Sequence, residues 1–336
     1  MDIDIILEPD LTPDEMVELG LLAESYGVRA LWASNYPSGR DPFVCLAPLA
    51  RASNRIRLGV LAISPYEMQP IKIANAILAL NELSGGRSAV MIGAGGGMIR
   101  VAALKWDRMV RAVRECVEIL LAASADEPLM YRGEMFRAFG YQPEWATDTP
   151  PQVYVGATEP QMLRMGARVA GRVMTSDQPM QRMAMTGAAI ADGLAAAGDS
   201  HDHCVLSNFW AWHVKEDRGA AYQEARRELF LRGLLSREHI RPFIGEDEVD
   251  LVRENMSSFR NAWIDKSGNI ENVPLPVVDA LVEGLSCCGD MSTLDRQIER
   301  LGEFREAGVD ELALRVHDDP AFGIRTIGER VIPALQ

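Results

Sequence analysis

The sequence predicts a parallel (β/α)₈ barrel of the α/β class, and three observations predict it. Short apolar runs recur along the 336 residues, segments with apolar residues near a 3.6 spacing separate them, and glycines close those segments. The apolar runs are nearly continuous rather than alternating, as in a parallel sheet covered by helices on its outer face. Strands that alternate with helices form right-handed βαβ units, and eight such units fit a closed barrel better than the competing doubly wound sheet. The chain is read as one barrel domain over 1–336, with insertions at about 125–151 and 236–276.

The first strand is Ile3 to Leu7. Thr12-Pro13-Asp14-Glu15 opens the first helix: Thr12 can cap, Pro13 suits the first helical position, and Glu15 completes a capping box. Met16, Leu19, Leu22, Ala23 and Tyr26 share a face, and Gly27 stops the helix. Six more strands follow at Val28 to Ser34, Arg55 to Ser64, Ser88 to Gly93, Gln152 to Gly156, Gly171 to Ser176 and Cys204 to His213. Asp310 to Val316 is the eighth. Trp106, Val110, Val113, Val117, Leu120 and Leu121 mark one intervening helix. Leu294, Ile298, Leu301 and Phe304 mark another, opened by a Ser292-x-x-Asp295 box and ended by Gly308. The stretch 125–151 reads as a β-type excursion, and 236–276 as a partly helical lid or oligomer contact.

Composition excludes several function classes. With 34 basic and 48 acidic side chains the formal charge is −14, a field that repels nucleic acid and anionic membranes. A strongly anionic coenzyme would therefore need a local site of backbone amides or a few basic groups. No apolar run approaches the ~18 residues of a membrane span, and the acidic N-terminal residues do not read as a secretory signal. The five cysteines are odd in number and lack metal-ligand spacing, so reduced thiols in a cytoplasmic protein are expected, with Cys287 and Cys288 as small core residues. No metal site is expected. His201, Asp202 and His203 precede the seventh strand, at the wrong barrel end, and read as surface.

Barrel enzymes place their chemistry at the C-terminal ends of the strands. After the fifth strand comes Gly156-Ala157-Thr158-Glu159-Pro160-Gln161, where Thr158 can cap a helix and Gln161 can return the bond. Two readings stand: an ordinary capped helix, or a phosphate cradle of free amides that Gly156 lets a ligand approach. After the fourth strand Gly93-Ala94-Gly95-Gly96-Gly97 departs from the dinucleotide fingerprint, since Met98 stands at its sixth position. It is either a flexible turn or a backbone approached by a flat ring. Gly59 inside the third strand marks a bulge or close approach, with Tyr66 and Glu67 just beyond. Ser34, Asn35 and Tyr36 end the second strand, Trp210, Trp212 and His213 the seventh, and Arg315 and His317 the eighth.

The stretch from Ile56 to Gly97, with its Asn81-to-Arg87 turn NELSGGR, resembles the luciferase-like superfamily and within it the coenzyme F420 branch that includes methylenetetrahydromethanopterin reductase. Gln152 to Asp177 and Leu281 to Val316 resemble the family's phosphate-binding and closing segments. The resemblance implies a non-prolyl cis peptide at Leu61-Ala62, bulging against the coenzyme ring. It implies that Gly156, Ala157 and Thr158 hold the coenzyme phosphate, and that the protein dimerises. It extends the coenzyme contacts to Ser34, Asn35, Gly95, Gly96, Thr175 and Ser176.

Two departures bear on chemistry. The branch commonly shows Ser-Asp-His after strand two, where this chain has Ser34-Asn35-Tyr36, and Gly96 stands where many members carry an acid. Proton delivery then falls to Tyr36, Glu67, His317 or solvent, and Tyr36 and Glu67 are taken as the catalytic pair. Tyr66, Trp212, Arg315 and His317 are taken as substrate contacts. The expected activity is hydride transfer between F420 and a small organic substrate. The alternatives are an FMN-dependent monooxygenase fed by a partner flavin reductase, and a flavin-binding barrel without turnover.

Overall fold

The computed structural model describes residues 1–198 and 203–335. Eight parallel strands close into a ring. In order they are β1 (Asp2–Leu7), β2 (Ala30–Ser34), β3 (Arg57–Ile63), β4 (Ser88–Ile92), β7 (Gln152–Gly156), β8 (Arg172–Ser176), β9 (Val205–Lys215) and β11 (Glu311–Val316), which returns to β1. β5 (Leu129–Arg132) and β6 (Arg137–Tyr141) form the antiparallel hairpin of the first insertion. The ring strands are those read from the apolar runs, in the same order.

One more strand, β10 (Ser286–Asp290), carries too little apolar signal to be read from sequence. Its Ser-Cys-Cys-Gly-Asp run follows the helix Leu275–Leu285 with no glycine turn between them. Ala211 and Trp212 pair with β10 and with β11 alike, so β10 lies along the edge of β9 that faces β8.

Side chains alternate across each strand. Ile3, Ile5 and Leu7 pack outward with Leu31, Leu58 and the helices in the main core. Ile6, Trp32, Met91, Tyr154, Met174 and Phe209 fill the barrel interior. Gly59 serves that interior, because a Cβ there would lie 2.2 Å from the Trp32 ring. Trp32 in turn meets Tyr154 edge-on at 5.3 Å.

Local signals held in part. The Thr12–Glu15 capping box is present, and Gly27 and Gly308 take positive φ at their helix ends. The helix expected from Trp106 begins at Met109, because Ala103 and Arg108 adopt positive φ and leave Trp106 exposed. The Ser292–Asp295 box is absent: Asp290 caps a 3₁₀ turn over Met291–Thr293 that precedes the helix Leu294–Glu306. The second insertion holds the helices Arg237–Ile240, Glu246–Glu254 and Met256–Ile264. With Leu229, Leu281 and Val278 these helices share a second apolar cluster. All five cysteines are buried free thiols. Among the described residues no helix is long and apolar enough to cross a membrane.

Candidate active site

The C-terminal ends of β2, β3, β4, β7 and β8 surround one cavity of about 420 Å³, within the range of small-molecule sites. The roof comes from Leu229–Leu235 and the helix Arg237–Ile240, which contribute Leu231, Gly233, Leu234 and His239. Ser34, Asn35, Tyr36, Leu61, Ala62 and Glu67 lie on one wall. Gly95, Gly96, Gly156, Ala157, Thr158, Ser176 and Arg315 complete the rim.

The wall at β3 is held by Asn35. The Leu61-Ala62 peptide is cis, and the pairing of β3 with β4 shifts register between Val60 and Ile63. The Asn35 backbone amide donates to the Leu61 carbonyl at 2.7 Å, and its side-chain amide donates to the Ala62 carbonyl at 3.1 Å. The same side chain donates to Glu67 Oε1 at 2.9 Å, which also accepts the Ser64 amide at 2.8 Å. Burial pushes the Glu67 carboxyl above its ordinary value, against the pull of those two hydrogen bonds.

The glycine turn divides its tasks. A Cβ on Gly95, at φ +90, would strike Ile99 and Ser64, so Gly95 answers to its own neighbours. Gly96 faces open space. Gly156 sits 3.3 Å, measured from its ideal Cβ, from the Met91 thioether.

Tyr36 and Arg315 meet across the floor of the cavity. Arg315 donates from Nε to Glu8 Oε1 at 2.8 Å and from Nη2 to Ser34 Oγ at 2.7 Å. Its guanidinium lies 5.5 Å from the Tyr36 ring centroid. The Tyr36 hydroxyl is buried with no hydrogen-bond partner, and burial pushes its pKa up, so it stays protonated. Burial likewise raises Glu8, outweighing the attraction of Arg315.

Four of the residues taken as coenzyme or substrate contacts lie outside this lining, as do Trp210 and His213. Thr175 is fully buried on the outer face of β8, donating to Asn208 Oδ1 at 2.7 Å. Trp212 also points outward, into the main core, and Phe209 is the β9 side chain that reaches the cavity. Tyr66 donates its hydroxyl to the Asp107 carbonyl across the glycine turn. His317 is buried beside Glu8 and stacks on His213 at 5.1 Å. Burial and the neighbouring His213 hold its pKa well below the usual imidazole value.

The cap assigned to Thr158 is also corrected. Glu159 occupies the N-cap of the helix Pro160–Ala170, with no side-chain capping bond. The Thr158 carbonyl instead accepts Gln178 Nε2 at 3.2 Å, and Arg182 Nη2 lies 3.5 Å away. Pro160 has no N–H, so Gln161 and Met162 carry the free amides of the first turn. His201 and Asp202 lie outside the described residues; His203 is exposed and pairs with Asp310 at the opposite barrel end.

His239 was absent from the sequence reading, as were Met91, Met174, Leu231 and Leu234. Met91 and Met174 sit two residues before Gly93 and Ser176, so strand parity would have found them. No sequence signal marks His239.

The family of luciferase-like monooxygenases matches residues 4–311. A 5,10-methylenetetrahydromethanopterin reductase of Archaeoglobus fulgidus is 29% identical over 333 residues, covering 98% of each chain. Among solved structures, a coenzyme F420 dependent tetrahydromethanopterin reductase from Methanopyrus kandleri superposes with TM-score 0.82 at 19% identity, over 100% of this chain and 99% of that one. An F420-dependent secondary alcohol dehydrogenase, bound to an F420-acetone adduct, gives TM-score 0.75 at 16% identity over the whole of both chains.

Proposed function

The chain belongs to the family of luciferase-like monooxygenases, and on that premise we propose that it is an oxidoreductase transferring a hydride between coenzyme F420 and a small organic substrate. The observation that carries the reading is one of convergence. The cis peptide of β3, the open face of Gly96 and the Gly156–Thr158 rim border a single cavity under an apolar roof. A flat ring fits between the bulge and the glycine turn, and a phosphate tail fits the helix entrance after Thr158. The F420-dependent names of one curated relative and two structural neighbours favour the deazaflavin over FMN.

Bound F420 would supply the ring carbon that gives or takes the hydride. The chain's own share is placement and protons. Asn35 fixes the bulge that backs the ring, since both of its amides are spent on the Leu61 and Ala62 carbonyls and on Glu67. Tyr36 holds a protonated hydroxyl with no other acceptor and can donate to a substrate oxygen or nitrogen. Glu67, with its raised pKa, is the second group able to take or give a proton there. Arg315 orients Tyr36 through its ring face. Leu231 and Leu234 close the substrate side against water. Assembly as a homodimer belongs to the same reading.

Titration of the purified protein with F420 and, separately, with FMN, followed by fluorescence, tests the coenzyme. F420 binding is expected. Tight FMN binding without F420 binding would replace the coenzyme, and binding of neither would remove the proposal.

A further inference from the structure

Two buried donors without a partner belong to residues around Thr158: His239 Nε2 and Arg182 Nη1. Both side chains are more than nine-tenths buried, His239 being 3% and Arg182 9% exposed. Leaving such donors unpaired is costly unless something outside the chain accepts from them. His239 lines the cavity from the roof, opposite the Gly156–Thr158 rim. Arg182 stands behind that rim, where its Nη2 holds Glu159 Oε1 at 2.8 Å.

The imidazole is held in one attitude. Its Nδ1 lies 2.7 Å from Ser236 Oγ. When Ser236 donates to Nδ1, the proton resides on Nε2, the buried atom without a partner. The ring packs on Gly233, where an ideal Cβ would come within 2.5 Å of it. The segment itself is anchored by Arg232, whose Nη1 donates to Asp177 Oδ1 at 2.8 Å with both side chains buried. Asp177 follows Ser176 at the end of β8, so the roof is tied to the strand beside the rim. After burial, the charges that act most on the imidazole are Arg182, Asp177 and Glu159, which places it over this corner.

We propose that His239 is a coenzyme ligand carried by the roof, donating from Nε2 to the phosphate that the Gly156–Thr158 rim receives, with Arg182 as the balancing cation behind it. The assignment rests on the coenzyme reading above. It gives an acidic chain, of formal charge −14, a buried N–H donor for an anionic coenzyme, with the Arg182–Glu159 pair behind it. It also makes the roof part of the binding site.

The test pairs a variant with a ligand that lacks the contact. Binding of F420, and of the same deazaflavin without its phosphate-bearing tail, is measured on wild type, His239→Ala and His239→Gln. The Ala variant is expected to lose about 10- to 100-fold in F420 affinity, while its affinity for the tailless ring stays at the wild-type value. The Gln variant, which keeps an N–H donor of similar reach, is expected to retain most of the F420 affinity, and it also covers an Ala variant that does not fold. Equal losses for both ligands, or no loss for either, would overturn the assignment. Wild type that binds neither deazaflavin would instead remove the coenzyme reading, a separable outcome.

Discussion

The two ends of the barrel hold similar polar groups and treat them differently. At the N-terminal floor, Arg29 donates from Nε to Asp4 Oδ1 at 2.9 Å and places Nη2 2.9 Å from Glu311 Oε2. Trp32 Nε1 donates to Asp4 Oδ2 at 2.8 Å, and the Tyr154 hydroxyl donates to Glu311 at 3.0 Å. Burial raises Asp4 and pushes Glu311 up to about 7, yet every one of these groups has a partner. At the C-terminal mouth, Tyr36 and His239 are buried just as deeply in part and end in atoms with none. Arg29, Asp4, Trp32, Tyr154 and Glu311 are absent from the buried atoms without a partner, though Ser207 Oγ, on the residue that pairs with Glu311, is among them. A saturated network stabilises the fold; an unsaturated one is shaped for a ligand.

The largest expected effect tests the floor. Arg29→Ala strips the cation from Asp4, which is fully buried, and from Glu311. Loss of one partner from such a pair should lower unfolding free energy by about 3–5 kcal/mol, measured by urea denaturation. The folded fraction should keep its coenzyme affinity. Lost affinity with unchanged stability would erase the distinction between the ends.

Gly156→Val makes the converse change at the mouth. The new Cβ would rest 3.3 Å from the flexible Met91 side chain, so the fold can absorb it, while the methyl groups enter the cavity. Crowding of this kind should weaken coenzyme binding about 10- to 100-fold with little change in Tm. Calorimetric titration beside thermal denaturation separates the two readouts.

How far these contrasts could be read from the amino-acid chain depends on parity. The ring strands announce themselves as apolar runs, and the strand ends that carry the rim follow directly. Because a buried parallel strand is apolar on both faces, those runs do not say which residues point inward. Thr175 is therefore named beside Ser176, and Trp212 in place of Phe209, although only Ser176 and Phe209 face the cavity; an odd number of steps along a strand reverses the face. The Leu61-Ala62 bulge came from resemblance rather than residue pattern. His239 lies on a roof folded from an insertion, where only tertiary packing brings Ser236 and Gly233 against its ring.

The same substitution at both ends sharpens the contrast at smaller scale. Tyr154→Phe removes a hydroxyl that serves Glu311 and should cost about 1 kcal/mol. Tyr36→Phe removes a hydroxyl with no partner and should leave urea stability unchanged or slightly raised, its effect appearing in kcat. Equal losses of stability would mean that Tyr36 has a structural partner after all.

The smallest effect concerns pH and the half-buried Glu67. Burial lifts its carboxyl above the ordinary 4.5, and the hydrogen bonds from Ser64 and Asn35 hold the shift back. Below about pH 4.5 the group is protonated in both folded and unfolded chains. Between there and its raised folded value only the unfolded chain releases the proton, so stability falls as pH rises across that interval and then levels off. Glu67→Gln should remove this shallow fall, seen as a pH-dependent difference in Tm between variant and wild type. Saturating coenzyme, by covering the carboxyl, should deepen the wild-type fall and leave the variant flat. A wild type that gains stability over the variant as pH rises would mean that the two hydrogen bonds outweigh burial, and Glu67 would then be a fixed anion holding Asn35 rather than a group that trades protons.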